Sequence, residues 1–172
     1  MLAWYAAPML ESPMRHSESV SLDELRELPP FAGLSDPQLE AVTGLARVRS
    51  IASGQQLFRQ GEPACDLGVV LHGRFSLCVE LGSGRELCLL TLTRGEVIGW
   101  SAVLDQAAWL ASATAVKPSS VLAFHGSALR DLCASDHELG YHVMRNLFAA
   151  VAARLHDTRL QLLDMYGHGG AA

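Results

Sequence analysis

From Val48 to about Phe124 the chain is cut by turn residues at intervals of about eight to twelve positions, and between the cuts lie short runs of Val, Ile, Leu, Phe and Thr. The cuts are Ser53-Gly54, Gly61-Glu62-Pro63, Gly73, Gly82-Ser83-Gly84, Gly95 and Lys117-Pro118. Punctuation this regular predicts about eight short strands closed into a roll, barrel or sandwich. Gly82-Ser83 suits a two-residue hairpin with glycine at its first central position. That register sets Glu80 opposite Arg85 as a favourable cross-strand pair. It also places Cys78 and Cys88 on opposite faces, where they are not expected to bond.

Helical signals flank this block. Ser21-Leu-Asp-Glu24 is a capping box whose helix must stop at Pro29-Pro30. Ser35-Asp-Pro-Gln38 is a second box with proline in the first turn, and Leu39, Val42 and Leu45 supply the apolar side of the helix it opens. Ala128 to Cys133 predicts a short helix. Ser135-Asp-His-Glu138 reads as a third box, opening the longest helix of the chain, to about Tyr166. Along it Met144, Leu147, Val151, Leu155, Thr158, Leu162 and Met165 recur at steps of three and four. Such a stripe reads either as a coiled-coil seam between two copies of the chain or as a face docked on its own domain.

The expected class is therefore α+β: an antiparallel β-roll of the jelly-roll or double-stranded β-helix kind, with short N-terminal helices and a long C-terminal one. Residues 1–20 read as a loose tail, 21–166 as the domain, and 167–172 as a second tail.

With 172 residues, 49% of them apolar and 18% charged, the chain can bury a substantial core and is not disordered. A formal charge of -5 argues against a free-standing nucleic-acid binder. No apolar run is long enough to span a membrane and the start lacks a charged n-region, so a cytoplasmic location is expected. Cys65, Cys78, Cys88 and Cys133 have no zinc-ligand spacing and read as buried thiols. His137 and His142 lie five apart and do not share a ligand face, so no metal or other cofactor is expected. There is no nucleophile elbow or phosphate loop with lysine, so no enzyme is expected.

Several stretches, in order, resemble the cyclic-nucleotide-binding domain family, above all the effector domain of bacterial catabolite-activator-type regulators. They are Pro30-Phe31-Ala32-Gly33-Leu34-Ser35, Gly54-x-x-Leu57-Phe58-x-x-Gly61-Glu62-Pro63-Ala64-Cys65-Asp66, Val69-Val70-Leu71-x-Gly73-Arg74-Phe75, and Gly84-Arg85-Glu86 on to Gly95. The likeness runs from about Leu28 to Tyr166. It implies a phosphate-binding cassette, a turn plus short helix, at Gly99-Trp100-Ser101-Ala102-Val103-Leu104.

Two departures from the family pattern fall in this cassette. Where the family carries Gly-Glu, its glutamate accepting from the ribose 2′-hydroxyl, this chain has Gly99-Trp100. Where the family carries an arginine for the cyclic phosphate, Ala107, Ala108, Trp109, Leu110, Ala111 and Ser112 include no cation. A bidentate arginine–phosphate pair is roughly twice as strong as a neutral hydrogen bond. Leaving a ligand charge buried and unpaired costs about 2–5 kcal/mol, and an unsatisfied ribose about 1–3 kcal/mol more. Together these remove several powers of ten in affinity. An alternative register takes Gly95-Glu96 as the glycine–glutamate pair.

Each candidate residue has a plainer reading beside the functional one. Trp100 offers a face for a flat ligand, or with Trp109 it fills the emptied pocket. Ser101 donates to an anion, or caps the short helix. Thr158 reaches the ligand from the long helix, or is a small residue in the seam. Three functions follow: a dimeric sensor that binds a small molecule other than a cyclic nucleotide and signals through the long helix to a protein partner; a scaffold with a self-filled pocket; or a cyclic-nucleotide binder using unusual contacts. Direct DNA binding is not expected, since only Gly167 to Ala172 follow the long helix.

Overall fold

The computed structural model of the protein describes residues 20–82, 84–104 and 108–167, with side chains as far as Leu160. The N-terminal tail to residue 19, Ser83, Ala107, the side chains of Leu162 and Met165 and the tail from residue 168 lie outside the described residues.

The strands are β1 (Arg47–Ile51), β2 (Gln56–Phe58), β3 (Asp66–His72), β4 (Phe75–Leu81), β5 (Arg85–Leu92), β6 (Val97–Ile98), β7 (Ser112–Ala115) and β8 (Ser119–His125). They form two antiparallel four-stranded sheets, in the orders β1-β8-β3-β6 and β2-β7-β4-β5. Before them come α1 (Leu22–Glu27) and α2 (Asp36–Leu45), and after them α3 (Gly126–Ser135) and α4 (His137–Gly167). This is the expected α+β roll. Its turns are made where the glycines stand: Gly54, Gly61, Gly73, Gly84 and Gly95 all adopt positive φ.

Alternation along the strands creates two cores. Val70 of β3 and Val121 of β8 point between the sheets, where they meet Ile51, Phe75, Leu92, Ile98, Ala113 and Ala115. Their neighbours Leu67, Val69, Leu71, Leu122 and Phe124 point the other way, against Leu25, Phe31, Leu39, Leu129, Leu139 and Val143 of the helical layer. β3 is therefore apolar on both faces, which explains the unbroken Val69-Val70-Leu71 run.

The first two capping boxes form as expected. Glu24 N–H donates to Ser21 Oγ at 3.2 Å, and Ser35 N–H donates to Gln38 Oε1 at 3.0 Å. The third does not. Ser135 is the last residue of α3, and its hydroxyl donates back to Leu132 O. Asp136 takes the capping role instead, accepting from Leu139 N–H at 3.0 Å and from Gln38 Nε2 at 3.2 Å. The Leu139 amide first, and then Gln38, hold this carboxyl below its ordinary range. The chain offered Ser and Asp side by side, and the one that also reaches α2 caps the helix.

The β4–β5 hairpin also differs from expectation. Leu81 pairs with Arg85 and Glu80 with Glu86, so the loop has three residues, 82–84, closed by Gly84 at φ 71°. One residue more in the loop shifts each partner from Cys78 to Leu81 by one. Cys78 then lies opposite Cys88, and the two are joined by a disulfide. Of the other cysteines expected to be buried, Cys65 is exposed and Cys133 half-buried.

Candidate functional site

β6 ends at Ile98, held by pairing with Gly68 and Val69 of β3. The chain then turns on Gly99, in the left-handed region at φ 77°, into one helical turn, Trp100–Ala102. Gly99 is crowded as well as strained: a Cβ there would lie 2.6 Å from Asp66 O and 3.0 Å from the Trp109 ring. Arg130 of α3 donates to Ala102 O at 2.6 Å and ties the turn to the helical layer.

The structure brings Gly99, Trp100, Ser101, Ala102 and Trp109 into one neighbourhood. Trp109 is 6% exposed and stacks on Phe58 with ring centroids 4.1 Å apart. Its backbone exchanges hydrogen bonds with the β2–β3 turn, donating to Glu62 O and accepting from Gly61 N–H. Trp100 packs half-buried against the helical core. Ser101 is buried inside the turn whose N-cap is Gly99, so it does not cap that turn as expected. Leu110 is 63% exposed, Ala111 is half-buried, and Ser112 opens β7, its hydroxyl accepting from Gln60 N–H at 3.0 Å.

Thr158 lies elsewhere, in a cleft of about 660 Å³ between the β4–β5 wall and α4. Ser76, Cys88, Thr91, Glu96 and Arg154 line it too; among the described residues, none of Gly99, Trp100, Ser101, Ala102 or Trp109 does. The volume is that of a small-molecule pocket. Its charged lining groups are Glu96, Arg154 and Asp157. Arg154 donates to Val97 O at 2.7 Å; burial pulls its guanidinium below the ordinary arginine range, and Glu96 opposes this. An arginine nonetheless stays charged at any physiological pH. The Glu96 carboxylate is engaged locally, accepting from Thr93 N–H at 2.7 Å and Thr93 Oγ1 at 2.9 Å. The Thr158 hydroxyl donates to Arg154 O, one helical turn back.

Arg154 was missed as a candidate. Its signal was present: a lone cation after Ala152-Ala153, four residues before Thr158, hence on the same helical face.

The seam on α4 is only partly as expected. Leu147 is 7% exposed and belongs to the core of its own domain with Leu139 and Val143. It is not available to a second chain, because the first half of α4 is docked. Asn146 Nδ2 fixes that docking, donating to Ala32 O at 2.9 Å and Pro30 O at 3.3 Å. Phe148, one residue on, is 74% exposed, with Tyr141 seven residues before it and Leu155 seven after it, 63% and 53% exposed.

Among the described residues, Cys78, Glu86 and Cys88 are the one group that brings three metal-ligating atoms within 4.8 Å of one another, and the disulfide uses two of them. No described helix is long and apolar enough to cross a membrane.

A family profile described as the cyclic nucleotide-binding domain matches residues 48–136, half of the chain. The chain belongs to the cyclic nucleotide-binding domain family. This cyclic nucleotide-binding domain is 31% identical over 134 residues to the cyclic AMP receptor protein of Thermus thermophilus, covering 78% of this chain and 60% of that protein. It thus spans less than two thirds of that relative's length. Its fold is similar to a putative cyclic nucleotide-binding protein from Geobacter metallireducens, at TM-score 0.71 and 29% identity, over 80% of this chain and 99% of that one. It is also similar to the sensor domain of the transcriptional regulator DNR from Pseudomonas aeruginosa, at TM-score 0.64 and 25% identity, over 80% and 89% of the two chains.

Proposed function

We propose that residues 21–166 form a non-enzymatic sensor module that binds a small molecule other than cyclic AMP or cyclic GMP in the cleft beside α4. The module then passes its state through that helix to a protein partner. The observation that carries this reading is the pairing of an altered cassette with an open cleft. Trp100 stands where the family carries glutamate, no cation falls between Ala107 and Ser112, and the Trp109 ring sits against Gly99. Beside it the cleft stays open and offers a guanidinium from α4.

The cleft supplies a coupling route. Arg154 latches α4 to β6 through Val97 O, immediately before the Gly99 turn. A ligand that recruits this guanidinium competes with the carbonyl, so it binds one helix position better than the other. That difference in affinity is what a ligand needs to shift a conformational equilibrium. Past the docked Leu147, the residues Phe148, Val151, Leu155 and Thr158 alternate at steps of three and four, continuing to Leu162 and Met165, while Met144 packs against the domain's own core. This is the stripe through which two copies would pair, in a cytoplasmic homodimer.

The burial of Trp109 on Phe58 favours a second reading, a scaffold whose nucleotide site is permanently filled. Calorimetry and native mass spectrometry on the full chain separate the possibilities. The sensor reading expects no micromolar binding of either cyclic nucleotide and a co-purifying small molecule that an Arg154→Ala chain fails to retain. Micromolar affinity for cyclic AMP or cyclic GMP would overturn it, and a chain without any bound molecule, from its own source, supports the scaffold.

A further inference from the structure

The β4–β5 hairpin carries a feature that the sensor reading does not use. β5 is an edge strand, paired with β4 alone, and except for Leu92 at its end it is largely exposed. Leu87 and Leu89 are 49% and 39% exposed, so little apolar burial holds this strand in place. It nonetheless forms a wall of the cleft, through Cys88, Leu89, Leu90 and Thr91. What fastens it, besides the ladder, is the bond from Cys88 to Cys78 on β4, where the register slips between Leu77 and Cys78. Cys78 is 5% exposed, whereas Cys88 is open to solvent and faces the cleft.

We propose that Cys78 and Cys88 form a reversible dithiol–disulfide switch that sets how rigidly β5 walls the cleft. The oxidant is a peroxide. The exposed Cys88 thiolate attacks the peroxide, the O–O bond breaks, a sulfenic acid forms and one water leaves. The Cys78 sulfur then attacks the Cys88 sulfur, the S–S bond forms, the S–O bond breaks and a second water leaves. Two thiols have given up two electrons, and one peroxide has become two waters. A dithiol reductant reverses the bond by exchange, becoming a disulfide itself. The remaining thiols are poor competitors for closing this bond. Cys65 lies outside the hairpin, and burial, then Asp136, keeps the Cys133 thiol raised and protonated.

The bond closes a loop with a sequence separation of 10. Cross-linking a loop of that size changes an opening equilibrium by roughly ten- to a hundredfold. The test uses the full chain, fully reduced with dithiothreitol, freed of it, and treated with hydrogen peroxide. Peptide mapping should find Cys78 joined to Cys88 with the loss of two hydrogens, and dithiothreitol should restore both thiols. Amide exchange in residues 85–91 should be roughly ten- to a hundredfold faster in the reduced chain, with α1 to α3 unchanged. A Cys88→Ser chain should exchange at the fast rate under both conditions. Failure of the bond to form, capture of Cys88 by Cys65, or equal exchange in the oxidised and reduced chains would each overturn the proposal. Should Cys88→Ser not fold, the comparison of the two states of the natural chain still decides. No ligand enters these measurements, so their failure leaves the sensor reading standing.

Discussion

Gly99 stands where two demands coincide that only a glycine satisfies. Its left-handed backbone costs a side-chain-bearing residue roughly 1–2 kcal/mol, and its neighbour is a carbonyl that cannot rotate away, Asp66 O. Gly99→Ala should therefore lower stability by about 2–4 kcal/mol, read from urea unfolding. A loss under about 0.5 kcal/mol, the range of an unconstrained surface change, would show that the turn yields. Asp136 gives a pH-dependent counterpart. Its folded pKa lies below the ordinary 3.8, so its contribution is complete above that value and disappears as pH falls through the depressed one. Asp136→Asn removes this dependence. The natural chain should be the more stable at neutral pH, and the gap in urea midpoint should close on acidification below about pH 4. A gap that widens in acid would reverse the assignment. The neighbouring serine was the stronger sequence signal for this cap; only the reach of Asp136 to Gln38 on α2 decides between them, and that is a tertiary fact.

At the scale of elements, α4 does two jobs along its length. Leu147 is buried in its own domain, while Phe148 and Leu155 face outward. Leu147→Ala should cost about 2–5 kcal/mol of folding stability without changing the association state. Leu155→Glu should do the opposite, weakening self-association by at least roughly tenfold in sedimentation velocity while the thermal midpoint of the protomer barely moves. Equal effects of the two on association would refute this division. The periodicity of the helix was plain in the sequence, but at 3.5 residues per step Leu147 and Phe148 are both acceptable members. What chooses between them is the direction from which the roll approaches. The hairpin failed for a related reason: Gly82 and Gly84 each suit a turn, and choosing the later one moves Cys88 by one place, across from Cys78.

For the molecule as a whole, the roll and its helical flanks were legible because local signals agreed: glycines at every turn, alternating or doubly apolar strands, and an ordered series of family motifs. The tight turn on Gly99 and the single helical turn after it were legible for the same reason. The cleft was not, because it is made between the β4–β5 hairpin and α4, which lie far apart in sequence, and its charged groups look unremarkable one at a time. One architectural detail bears on how this protein comes apart. β3 is shared property: its odd-numbered side chains from Leu67 to Leu71 belong to the helical layer, while Val70 belongs to the space between the sheets. Among the described residues, then, neither core can melt and leave the other a finished surface, and heat or protease is expected to take the two down together.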